Sequence, residues 1–121
     1  MKALGNSSFL NAAKIGYLDK RSESLFRSWT EKFAVLTNVG LLYYDNPNER
    51  PRNLFPIINS AIKKVPREKY NRDFVFSIVS FSLEIEFAVP SKEEYDSWMR
   101  AFKNLQEEFE RKKKSQLASI S

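Results

Sequence analysis

Lys20, Arg21 and Arg27 lie in or beside one polar stretch of the sequence, and Arg50 and Arg52 lie in another. Ammonium and guanidinium groups on such stretches hold anionic oxygens through charge-assisted hydrogen bonds, so the chemistry they offer is recognition of phosphate or of an anionic surface. Close to an anionic leaflet each such cation contributes on the order of 1 kcal/mol, and ionic screening confines that gain to near contact. Leu25 and Phe26, an apolar pair between Arg21 and Arg27, have no core duty in a loop and are expected to dip into the interface beside the bound group.

Composition closes off most other chemistry. The 121-residue chain has no histidine and no cysteine, which removes imidazole acid and base work, thiol nucleophiles, disulfides and the ordinary zinc clusters. No glycine-rich phosphate loop, catalytic triad or metal constellation occurs, so the reading is of a non-enzyme without a cofactor. The formal charge is +5, and it is unevenly placed. Residues 1–72 carry 13 Lys+Arg against 6 Asp+Glu, whereas residues 73–121 carry 7 against 9. If the first half builds one end of the molecule, that end is positive and an anionic surface orients the domain.

The elements that must position these cations read as strands. Residues 1–13 form a flexible lead-in, and a strand begins at Lys14 and Ile15. A second strand covers 29–36, Asn38-Val39-Gly40 supplies turn chemistry, and 41–44 return as the third. The polar stretch 45–53 is an exposed loop, and 54–57, with its proline, is a short edge strand. A weaker fifth strand over 61–65 and a polar loop over 66–72 precede the aromatic, β-branched runs 74–79 and 83–89, joined by a turn at Ser80-Phe81-Ser82. Pro90 stops the last strand, and Ser91 with Glu94 makes a capping box. Tyr95, Trp98, Met99, Phe102, Leu105 and Phe109 then recur at helical steps as one apolar stripe, and the basic residues 111–114 mark the helix end before a flexible tail to 121. The fold class is mainly β with one C-terminal α-helix: seven short strands in two packed antiparallel sheets or a partly open barrel, one end plugged by Trp98.

Four segments in this order resemble the pleckstrin homology (PH) domain. Lys14-x-Gly16-x-Leu18-x-Lys20 looks like its first strand and Trp29-x-x-Lys32-Phe33-x-Val35-Leu36 like its second. Leu42-Tyr43-Tyr44 is similar to the third, and Glu94, Trp98 and Ala101 resemble the closing helix, so the likeness covers about residues 14–110. The resemblance implies a bent seven-stranded β-sandwich capped by a helix. It also implies a headgroup site at the open end, between the loop after strand one and the loop after strand three. Lys20 and Lys32 are then expected to point at the phosphates, Tyr44 to offer a hydroxyl, and Arg52 to add a further contact. Two positions depart from the family's strongest binders of 3-phosphorylated lipids: Thr30 stands where they have a basic residue, and Lys32 where they favour arginine, whose two-pronged grip on phosphate is lost.

The leading expectation is a non-catalytic phosphoinositide-binding module that brings an attached or associated protein to membrane surfaces. No apolar run approaches the roughly 20 residues needed to span a bilayer, and the start lacks a secretory pattern, so the expected setting is cytoplasmic with peripheral, reversible membrane contact. The alternative is a PH-fold protein-interaction module with weak or non-specific lipid binding. Nucleic acid fits poorly, because the basic residues are scattered over loops rather than interleaved with exposed aromatics.

Overall fold

The structure, a computed structural model, describes residues 12–22, 28–51 and 53–120. Seven strands are followed by the long helix: β1 (Lys14–Arg21), β2 (Trp29–Thr37), β3 (Gly40–Tyr44), β4 (Asn53–Phe55), β5 (Ala61–Val65), β6 (Val75–Ser80) and β7 (Leu83–Ala88). A single-turn helix α1 (Arg67–Tyr70) interrupts the β5–β6 connection, and α2 runs from Lys92 to Ile120. All seven strands join one antiparallel sheet in the order β4-β3-β2-β1-β7-β6-β5. The sheet bends around the core without closing, which resolves the expected choice in favour of an open barrel with β4 and β5 as its edges.

Strand alternation gives this sheet two faces. Leu18, Ala34, Leu36, Leu41 and Tyr43 face inward with Phe76, Ile78, Ile85 and Phe87, and form the main core. Phe33, Val35 and Tyr44 make a smaller cluster on the outer face. The stripe of α2 closes the inner core. Trp98 is fully buried, stacked at 5.8 Å on Phe102, which in turn meets Phe76 at 5.6 Å. Removing an indole from such a site costs roughly 3–5 kcal/mol, because lost burial and the cavity add. The β2–β3 turn needs its glycine: Gly40 has φ +145°, and a Cβ there would lie 2.5 Å from the Phe55 carbonyl oxygen.

Two expectations change. The polar loop over 66–72 contains α1, one turn closed by Asn71 in the left-handed conformation, too short to leave a periodic signal. The basic residues 111–114 do not end the helix. Gln106 anchors α2 by donating to the Ile57 and Ser60 carbonyls at 2.8 and 3.0 Å, and the helix continues to Ile120, exposed over 107–119. No glycine or proline follows Lys114 to stop it, and pairs such as Glu108–Lys112 at 3.1 Å support the overhang. The expected lead-in over 1–11 lies outside the described residues.

Candidate functional site

The register at the end of β1 decides which cations share a surface. Lys20 stands opposite Thr30 and Leu18 opposite Lys32, so Lys20, Thr30 and Lys32 all take the inner row, just beyond the buried Leu18. They sit at the end of the barrel remote from Gln106, where the β1–β2, β3–β4 and β6–β7 connections gather. With Ser22 they line a recess of about 200 Å³. Two ammonium groups and two hydroxyls in so small a space make a donor-rich cup suited to phosphate oxygens. The Lys20 ammonium has no hydrogen bond or ion pair among the described residues, whereas the Lys32 ammonium donates to Asp45 Oδ1 at 2.6 Å. An incoming anion therefore meets one cation directly and must compete for the other.

Arg21, one residue on, points to the outer face. Its guanidinium lies 4.5 Å from the Tyr70 ring centre and 5.2 Å from that of Trp29. Arg72 covers Trp29 at 4.8 Å and pairs with Asp19 at 2.7 Å. The Tyr70 hydroxyl donates to Glu86, which also accepts from Lys69 at 2.9 Å. Burial, and then the Glu86 carboxylate, push the Tyr70 hydroxyl above its ordinary pKa. This stack borders a second cleft of about 330 Å³, lined by Lys20, Arg21, Ser22, Tyr70, Glu84, Ile85 and Glu86. Although larger, it sets two carboxylates against Lys20 and Arg21, whereas the lining of the inner recess carries two lysines and no carboxylate.

The expected site residues thus divide. Lys20 and Lys32 come together. Arg21 does not line the recess they share and meets Lys20 only in the second cleft, since adjacent residues on a strand take opposite faces. Tyr44 does not line the recess either: the pairing Phe33↔Tyr44 puts it on the outer face, 6% exposed, with its ring 5.8 Å from Phe33 and its pKa raised by that burial. Arg50 is exposed in the β3–β4 connection and lines neither cavity. Arg27, Arg52, Leu25 and Phe26 lie outside the described residues. Sequence reasoning missed Ser22, Asp45 and the Trp29–Tyr70–Arg72 stack. Period-two alternation could have separated Lys20 from Arg21, but only the three-dimensional path of the loops brings Asp45 to Lys32 and Tyr70 to Arg21.

A bent, open seven-stranded antiparallel sheet, capped by a helix and holding a cationic recess at its uncapped end, defines a class of binding domain. The PH domain family model matches residues 12–107, and the chain belongs to that family. Among solved structures it is similar to a pleckstrin homology domain at 26% identity and TM-score 0.67, covering 80% of this chain and 87% of that one. It also resembles the Slm1 PH domain in complex with phosphoserine, at 20% identity and TM-score 0.69, covering 81% and 98% of the two chains. The C-terminal PH domain of pleckstrin in complex with D-myo-Ins(1,2,3,4,5)P5 is similar at 19% identity and TM-score 0.64, covering 76% and 95%. No match was found among curated protein sequences.

Proposed function

We propose that this domain holds the clustered phosphates of an inositol-type lipid headgroup in the inner recess and so docks its protein on anionic membranes. The observation that carries this reading is the convergence of Lys20 and Lys32 on one inward face, where they line a recess together with Ser22 and Thr30. Similar domains bound to an inositol pentakisphosphate and to phosphoserine lend support, because both ligands present the same oxyanion chemistry. Thr30 and the Lys32–Asp45 pair limit the grip, and with it the selectivity among headgroups. That same pair favours a second reading, in which the recess stays closed and the domain docks a protein partner.

Vesicle sedimentation separates the two. Lys20→Ala with Lys32→Ala is expected to weaken binding to phosphatidylinositol 4,5-bisphosphate vesicles by about fiftyfold or more, since two charge-assisted contacts are lost. Binding to phosphatidylserine vesicles of equal charge is expected to fall only severalfold. Equal losses on both would mean charge attraction without a pocket. Absence of lipid binding in the unaltered domain would favour the protein-docking reading.

A further inference from the structure

The β6–β7 hairpin carries a phenylalanine that serves neither the turn nor the core. Phe81 is 94% exposed, and Leu83, two residues on, is 60% exposed. Phe81 also has φ +56°, at the first residue of a two-residue turn, the place such turns usually give to glycine. A bulky residue at positive φ is strained, and a bare phenyl ring in water forgoes its burial, so the fold gains nothing from this residue.

Its position is informative. Lys20 pairs with Phe87, and β7 runs from there back to Leu83, about 13 Å past Lys20 at a strand rise of about 3.3 Å per residue, with the turn beyond it. The tip therefore projects from the end of the barrel that carries Lys20, Lys32 and Arg50, flanked by the small polar Ser80 and Ser82. One ring and one leucine on a point are far below the roughly 800 Å² per partner of a stable protein interface. They suit the boundary between lipid headgroups and acyl chains, which apolar side chains enter by about 5–10 Å while cations behind them meet the phosphates. Glu84 follows directly on the outer row as an exposed carboxylate.

We propose that Phe81, with Leu83 beside it, is a membrane-inserting wedge that enters the lipid interface while the recess holds a headgroup. This deepens the reading proposed above and rests on it for the headgroup. Phe81→Gly makes a discriminating test, because it relieves the backbone strain while deleting the ring. The variant is expected to unfold at the same or a higher temperature and to bind soluble inositol hexakisphosphate within twofold of the unaltered domain. It is expected to bind vesicles of phosphatidylcholine, phosphatidylserine and phosphatidylinositol 4,5-bisphosphate at least fivefold more weakly. A smaller loss on vesicles overturns the wedge, and with inositol hexakisphosphate binding intact it leaves the headgroup reading standing. Vesicle binding that depends on Phe81 without any inositol hexakisphosphate binding supports the wedge and removes the headgroup site. A change in sedimentation of the free protein with vesicle binding unaltered would assign Phe81 to a contact between copies and overturn the wedge.

Discussion

Lys20 and Arg21 are neighbours in sequence and carry the same charge, yet they occupy different chemical settings. Lys20 faces a recess with a second lysine and two hydroxyls, and no described carboxylate holds it. Arg21 is covered by two aromatic rings on a surface where Asp19 and Glu86 are already engaged by Arg72, Lys69 and Tyr70. The inner cation has no side-chain partner among the described residues; the outer one lies over Trp29 of β2 and Tyr70 of α1 and so helps hold α1 against the sheet. A one-residue step on a strand decides the matter, so net charge and loop membership alone overstate how many cations a site commands.

Substitution at each position should expose this division. Lys20→Glu is expected to lower affinity for inositol hexakisphosphate by about a hundredfold, because it removes a donor and adds repulsion, whereas Arg21→Glu should lower it by about threefold through long-range charge alone. Isothermal titration reads both, and similar losses would erase the distinction between the faces. On stability the order should reverse. Trp29→Ala is expected to cost about 2 kcal/mol, since Trp29 is partly buried and underlies both Arg21 and Arg72. Lys20→Ala should change the denaturant midpoint very little. A smaller effect is expected from Asp45→Asn, which releases Lys32 and should raise headgroup affinity by about threefold.

Alkaline pH touches the outer face last and least. Burial raises the Tyr70 hydroxyl, with further help from Glu86, and burial likewise raises Tyr44. A pKa that is higher folded than unfolded favours the protonated folded state. The contribution is therefore fully present below about pH 10 and is lost as pH rises from there through the folded values. Tyr70→Phe should make the fall in denaturant midpoint above pH 10 shallower. An unchanged slope would remove Tyr70 from the account.

Much of the architecture was legible because strands announce themselves by alternation and the helix by its stripe. The aromatic and β-branched run of β6, the alternating β7 and the Trp98–Phe102 face of α2 each satisfy a local rule that agrees with the final packing. The single turn α1 was hidden because four residues carry no period. Helix α2 outruns its expected end because a basic run resembles a helix terminus, although the residues after it contain no helix breaker. At the site, Lys20 and Lys32 share one recess, while Tyr44 lies on the outer face and does not reach it. Its face depends on the β2–β3 register, which the turn at Gly40 sets and which a one-residue slip would invert. Asp45 escaped notice because its role is a contact across 13 residues, made by the start of a loop whose path no periodicity records.

Titration of isotope-labelled protein with inositol hexakisphosphate, followed by amide and lysine-ammonium NMR signals, tests the central division most directly. The account predicts that saturable shifts concentrate at Lys20, Ser22, Thr30 and Lys32, with the Lys32 ammonium moving as Asp45 is displaced, while Tyr70, Glu84 and Glu86 stay nearly still. Shifts that appear first and most strongly at Arg21, Tyr70 and Glu86 would contradict it and move the site to the outer cleft.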